Sequence, residues 1–352
     1  MNRSAQNYAF QVSSVEVLTH PSLVKGRINE DTWLLWESPG FLGSIVCAVI
    51  DGAGIRLPFQ QLEKELQKLW PSLSPAAFAA NIVKDILLEQ MQGHPERPLR
   101  EVLITANKSL HRQIERTIGK FNIENVLSEL GEPWANDPRN VRLIFPACAV
   151  TLIRLDLVNG IVDFAHLGDT SLLEIRHKGK VIRHTTDQMG KFDQAAFKSI
   201  SEYQKKENLP DFRNAVLSQE GRQFIIESGL HLNYVDDNGK TNRNNGCGVI
   251  NGLPEVKDYI ETGTIKIDPS QTLGFVLMSD GLELLQSLQE NILQHEDRLN
   301  LMGDIIRDSG LRGLYRAMDE MVEKDLSFNA YPRTKIKDDA TGIYLQIAKR
   351  IE

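Results

Sequence analysis

The chain is poor in cysteine. Cys47, Cys148 and Cys247 are its only three, widely separated and odd in number. A disulfide framework is therefore not expected. Buried free thiols in a reducing compartment are expected, and with them a cytoplasmic location. Long hydrophobic runs are also missing: none approaches the ~18 residues of a membrane-spanning helix. The first residues, MNRSAQNYAFQVSS, lack the apolar core of a secretory signal. No long lysine and arginine cluster occurs, and the net charge is -7. Nucleic acid and anionic membrane are thus not expected as partners, because phosphate backbones need clustered basic residues. Several catalytic signatures are absent too. There is no CxxC, HExxH, GxxxxGKS/T or GxSxG. Gly52-Ala53-Gly54 and Gly246-Cys247-Gly248 each begin a GxGxxG, but Leu57 and Asn251 stand where the third glycine belongs. The eight histidines show no metal-ligand spacing.

What is present is enough apolar material for a sizeable core, 41% hydrophobic against 25% charged residues. No internal repeat, low-complexity tract or Pro/Gly/Ser-rich linker interrupts it. A single domain over 1–352 is expected, with an insertion at about 120–145 and a variable flap at about 189–246. Loose alternation over Gln11–Leu18 predicts a first strand and Thr32–Trp36 a second. Ser44–Gly54, SIVCAVIDGAG, reads as a buried strand closed by a tight Asp-Gly turn. Helical stripes follow at Phe59–Leu69, from the Ser74-Pro75 cap pair onward, and from Pro98 to Gly119. Strands resume at Ala147–Leu155, Ile161–Leu167 and Ser171–Arg176, with turns at Gly168-Asp169-Thr170 and Lys178-Gly179-Lys180. Helical patches at Ala195–Lys205 and Arg213–Glu227 and a polar, mobile run at Asp236–Asn245 make up the flap. Further strands are predicted at Gly248–Gly252, Val256–Thr262, Thr264–Ile267 and Thr272–Met278. Helices fill Leu282–Met321, and Gly342–Ile347 is the last strand.

Asp31, Asp51, Asp169, Asp280 and Asp338 share one context, a turn bordering a short strand. Each singly is explained as an Asx turn or a helix cap. Glu30 and Asp31 are either a solvated loop or two carboxylates aimed at a metal. Converging carboxylates repel one another unless protonated or neutralised by a cation. Oxygen donors without matching His or Cys suit Mg²⁺ or Mn²⁺ rather than zinc.

Taken in order, GRINED, VIDGAG, AHLGDTSLLEI, TTDQ, GVINGLPEV, LMSDGLELL and KDDATGIYL resemble the motifs of the protein phosphatase 2C family of metal-dependent Ser/Thr phosphatases, in its bacterial style. The resemblance runs from about Val15 to Ile347. It implies an α+β fold, a four-layer α-β-β-α sandwich of two antiparallel sheets flanked by helices. It also implies hydrolysis of phosphomonoesters by a water bridging two Mg²⁺ or Mn²⁺ ions. By the same resemblance Asp51 is the bridging carboxylate and Gly52 supplies a backbone carbonyl. Asp280 and Asp338 complete the first metal, while Asp31 holds metal-bound water with Glu30 beside it. Asp169 serves a third, weaker metal. Arg27, with Lys25 as understudy, grips the substrate phosphate. The implied partners are a phosphorylated protein substrate and a cognate Ser/Thr kinase. Three departures stand out. Arg27 lies four rather than five positions before Asp31, Ala53 replaces a histidine or methionine, and Thr186-Asp187-Gln188 replaces an Asp-His pair. The alternative is a pseudophosphatase acting as a regulatory binding module.

Overall fold

A computed structural model describes residues 10–22, 28–37, 43–54, 74–118, 136–290 and 292–349. The predicted helix at Phe59–Leu69, the stop at Gly119 and most of the expected insertion lie outside them. Ten strands are described: β1 Phe10–His20, β2 Thr32–Glu37, β3 Ser44–Ala53, β4 Ala147–Asp156, β5 Ile161–Leu167, β6 Ser171–Arg176, β7 Val181–Arg183, β8 Glu261–Lys266, β9 Thr272–Met278 and β10 Ala340–Lys349. The described helices are α1 Pro75–Gly93, α2 Leu99–Ile118, α3 Gly190–Lys206, α4 Phe212–Leu217, α5 Gln219–Gly229, the single turn α6 Val256–Tyr259 and α7 Ile292–Lys324. None is long and apolar enough to cross a membrane.

The strands form two antiparallel five-stranded sheets, in the orders β1-β10-β9-β6-β7 and β2-β3-β4-β5-β8. Alternation along β3 explains why its sequence is apolar without a break. Val46, Ala48 and Ile50 point to one side, where they pack with Val83, Leu87, Leu103 and Leu110 of α1 and α2. Ile45, Cys47 and Val49 point to the other, against Phe275, Leu277, Ile343 and Leu345 of the second sheet. A strand covered on both faces has no use for polar alternation. On the far side of the second sheet, Leu173, Ile175, Val276 and Met278 meet Met302, Ile306, Leu311 and Leu314 of α7. The four layers are thus helix, sheet, sheet, helix. Each such fully buried aliphatic side chain contributes about 1.5–3 kcal/mol.

Helix starts follow the predicted chemistry. Ser74 accepts a hydrogen bond from the Ala77 amide (3.1 Å) with Pro75 at the first helical position. The long α7 is broken at Gly310, and there Glu16 of β1 accepts the amides of Leu311 (3.0 Å) and Arg312 (3.3 Å). The second half of α7 is thereby capped from a neighbouring strand.

The register decides where function can lie. Thr32 pairs with Ile50, Ile50 with Val150, and Val150 with Leu167. In the other sheet Ser171 pairs with Met278, Met278 with Gly342, and His20 with Ala340. Only Gly168, Asp169 and Thr170 separate β5 from β6, which lie in different sheets. Both sets of strand ends are therefore at the same end of the sandwich.

Five expectations need correction. Asp51 and Gly52 do not close β3 in a tight turn: both stay in the strand, paired with Ala149 and Cys148 of β4. The helices expected from Leu282 begin only at Ile292, after a short helical turn over Asp280–Leu282. Val256–Thr262 is not a strand: Val256–Tyr259 is a helical turn, and pairing begins at Glu261 as the single strand β8. Gly248–Gly252 forms only an isolated bridge, Cys148 to Ile250. The polar run Asp236–Asn245 is pinned rather than loose. Lys191 donates to the Arg243 and Asn244 carbonyls (both 2.9 Å), and Arg243 to those of Asp258 (2.8 Å) and Ile260 (3.1 Å).

One buried ion cluster braces the second sheet. Glu174 is fully buried and accepts from Thr272 (2.6 Å), Arg176 (2.9 Å) and His184 (3.0 Å). Burial pushes its carboxyl up, but these three donors outweigh it and hold the group down at about 2. The folded state then binds fewer protons than the unfolded chain between about pH 4.5 and 2, so stability is lost as pH falls through that window. Glu174→Gln should cost about 3 kcal/mol at neutral pH, and urea titrations should show this difference shrinking between pH 5 and 3.

Candidate metal centre

The strand ends meet at a cleft of about 950 Å³, lined on its floor by Glu30, Asp51, Gly52, Asp169, Asp280 and Asp338. Asp51 is carried by the last residues of β3, opposite Ala149 of β4. Asp169 is carried by the β5–β6 turn, Asp280 by the turn that ends β9, and Asp338 by the residues entering β10. Six of the eight residues expected at the site therefore face one space. Asp31 is drawn in behind them, buried, with its carboxylate accepting the Ser279 hydroxyl (2.7 Å). Arg27 lies outside the described residues.

Two Asp-Gly pairs recur because the backbones there are in near contact. A Cβ on Gly52 would fall 2.6 Å from the Glu30 carbonyl oxygen and 2.9 Å from the backbone of Ala76. One on Gly281 would fall 1.9 Å from the Asp339 carbonyl oxygen. Any side chain at either position would force the acidic loops apart.

Three residues that sequence reasoning passed over hold this geometry. Asp339, the second of the Asp-Asp pair, accepts the amides of Ser22 (2.5 Å) and Glu30 (2.7 Å), and so clips the loop between β1 and β2 to the start of β10. Ser279 donates to Asp31 and accepts the Thr341 amide (2.9 Å). Lys335 places its ammonium 2.8 Å from both oxygens of Asp338. The signal for Asp339 was present in KDDAT, where a second buried acid needs donors of its own. Nothing distinguishes Lys335 from Lys337 in the sequence. The structure separates them, since Lys337 pairs with Asp319 on α7.

The carboxylates burden one another. Burial first, then the charges of Asp31, Asp280, Asp169 and Asp338, hold the Asp51 carboxyl well above the usual range. Burial, then Asp338 and Asp169, do the same to Asp280, relieved in part by Lys335 and by a hydrogen bond with Asp51. Burial pushes Asp31 up to about 8 against the Ser279 hydrogen bond, with Asp338, Asp280 and Asp339 adding to the rise. A sequence model of the family described as Protein phosphatase 2C matches residues 21–322, which takes in most of the chain.

The chain belongs to the protein phosphatase 2C family.

No curated protein sequence matches it. Solved structures of similar fold include a bacterial serine phosphatase at 12% identity, covering 97% of this chain and 100% of that one with a TM-score of 0.49. The Mycobacterium tuberculosis serine/threonine phosphatase PstP/Ppp is 14% identical, with 96% and 99% covered and a TM-score of 0.46. RsbX in complex with magnesium is 11% identical, with 96% and 100% covered and a TM-score of 0.44.

Protein phosphatase 2C membership implies divalent metal, and the donor set here fits such an ion in its chemistry. It is all oxygen and strongly anionic, with Asp51, Asp169 and Asp338 half-buried and Asp280 open to the cleft, and so much like charge in one place favours a cation. It is not a ready-made cage: among the described residues no three His, Cys, Asp or Glu side chains are disposed to grip one ion as they stand.

Without metal, the raised carboxyls bind protons that the unfolded chain has released. Stability in chelator should therefore fall as pH rises from about 4 to about 8. Thermal unfolding in EDTA at pH 5, 6, 7 and 8 should show a steady decline, and Asp31→Asn should flatten it.

Proposed function

We propose that this chain is a metal-dependent protein Ser/Thr phosphatase hydrolysing phosphomonoesters at the cleft. The observation that carries the reading is the convergence of Asp51, Asp169, Asp280 and Asp338 on one cleft from four separate strand ends. Asp51, the Gly52 carbonyl, Asp280 and Asp338 would hold two Mg²⁺ or Mn²⁺ ions, and Asp169 a third. Bound there, the ions supply Lewis-acid neutralisation of the phosphoryl oxygens and an acidified water for in-line displacement. The remaining work belongs to the chain. Asp31, oriented by Ser279, accepts hydrogen bonds from solvent drawn to the metals. Glu30, whose amide is fixed by Asp339, keeps its loop against Gly52. Arg27 grips the phosphate of a phosphoserine or phosphothreonine in a protein substrate, and a Ser/Thr kinase is the natural opposing partner. No protein nucleophile is required, in keeping with the absence of a GxSxG elbow.

The rival reading, a pseudophosphatase serving as a binding module, draws on Lys335 already seated on Asp338 and on Ala53 in the position after the Asp-Gly pair. Hydrolysis of p-nitrophenyl phosphate and of a phosphothreonine peptide with Mn²⁺, with Mg²⁺ and with EDTA separates the two. Turnover with metal and none with EDTA is expected, and no turnover under any condition would favour the binding module. Asp51→Asn should cut metal-dependent turnover by at least about 10³-fold, some 4 kcal/mol of transition-state stabilisation. It should also raise the melting temperature in EDTA by relieving repulsion. A folded, metal-loaded Asp51→Asn protein with retained turnover would falsify the assignment.

A further inference from the structure

We propose that Lys335 is a built-in monovalent cation that shares Asp338 with the divalent metal and so sets how tightly that metal binds. The inference rests on the metal-dependent reading of the site and concerns a residue outside the ligand set.

The Lys335 side chain is 40% accessible, yet it is committed to the cleft. It lines the cleft, and its ammonium lies 2.8 Å from each oxygen of Asp338. The loop that carries it is tightly made. Asp325, at its start, accepts the amides of Asn329 (3.0 Å), Ala330 (3.3 Å) and Tyr331 (2.9 Å) and pairs with Arg333 (3.0 Å). The Arg333 guanidinium lies 4.1 Å over the Phe328 ring. Neighbouring cations on this loop are thus committed elsewhere, Arg333 to Asp325 and Lys337 to Asp319. Lys335 is the one turned to the acidic floor, where Asp280 and Asp51 also act on its charge.

Capacity makes the ammonium and a divalent ion rivals. One oxygen of Asp338 already accepts both Lys335 and the Asp339 amide (3.0 Å), which uses its two lone pairs. The other accepts Lys335 again. A metal binding to Asp338 must either displace the ammonium or stand beside it, and like charges a few ångströms apart repel strongly in a part-buried site. In exchange, Lys335 supplies the acidic floor with positive charge when no metal is present. The chain would then trade metal affinity for metal-free stability through one side chain.

The test compares wild type with Lys335→Met, Lys335→Gln and Lys335→Arg. Mn²⁺ affinity is read by titration calorimetry and by the free-Mn²⁺ electron paramagnetic resonance signal, and stability by thermal unfolding in EDTA. Lys335→Met and Lys335→Gln should bind Mn²⁺ at least ten-fold more tightly and melt several degrees lower in EDTA. Lys335→Arg, which keeps the charge, should stay within two-fold of wild type in affinity. Equal or weaker Mn²⁺ binding by folded Lys335→Met and Lys335→Gln would overturn the role of Lys335 while leaving the metal reading standing. Absence of Mn²⁺ binding in all four proteins would overturn both. A neutral variant unfolded in EDTA that regains native circular dichroism on adding Mn²⁺ supports the proposal. One that stays unfolded with Mn²⁺ overturns it.

Discussion

Mutual repulsion among clustered carboxylates is the constraint around which this fold is arranged. Asp31 is buried, Asp51 half-buried and Asp280 open to the cleft, and burial together with the charges of acidic neighbours raises the preference of each for a proton. Such a cluster persists only if the surrounding structure holds it together more strongly than its charges push it apart. The two sheets do this collectively. Their strand ends are locked in register by an interlayer core, so the acidic turns cannot splay without exposing Phe275, Leu277, Ile343 and Leu345. Local clips then act within that frame. Asp339 ties the β1–β2 loop to β10, and Ser279 joins Asp31 to the end of β9 across the gap between sheets. Instability is concentrated where a ligand is needed, as in sites that bind their ions through anionic excess.

The parts of this arrangement legible in the sequence are those with a short-range signal. The unbroken apolar run from Ile45 to Ile50 followed by Asp-Gly identified both the doubly covered strand and the acidic residue at its end. The Ser74-Pro75 pair located the start of α1. Recurrence of Asp-Gly at Asp280 drew attention to the right turns, because a missing side chain is what close backbone approach requires. Legibility failed where the deciding contact is distant in sequence. Val256–Tyr259 has strand-like composition but winds into a turn. Val256 and Tyr259, three residues apart, both reach the core formed with α1 and α2, a demand period-two alternation cannot meet. The polar run before Gly246 reads as mobile until Lys191 and Arg243 are seen to bind its carbonyls and those of the α6 turn. Lys335 carries no local mark, for its meaning depends on the floor of the cleft, and the second acid of KDDAT marks Asp339 without naming its donors, the Ser22 and Glu30 amides.

The wall of the cleft and one of its carboxylates share a single support. Helices α3, α4 and α5 pack around Phe328 through Ile200, Phe212, Ala215 and Val216, with the half-buried Phe224 and Ile225 of α5 against them. The Phe212 amide donates to Asn329 (2.9 Å) and the Arg213 amide to the Ser327 carbonyl (3.0 Å). That loop, made rigid by Asp325 and Arg333, runs on directly to Lys335 and Asp338. The apolar side chains presented to the cleft by the flap, Phe197, Leu217 and Ile225, are thus fixed relative to the acidic floor by the segment that delivers Asp338. A change in how the flap packs on Phe328 must shift the loop or be absorbed by it, and Asp325, with several donors on one carboxylate, leaves little slack for absorption. Helices α3, α4 and α5 and the acidic floor are therefore joined through residues 325–338, although more than a hundred positions separate Phe212 from Asp338 in the chain. The joint gives sequence variation in these helices a physical route to the spacing of the acidic floor, without any change in the carboxylates themselves.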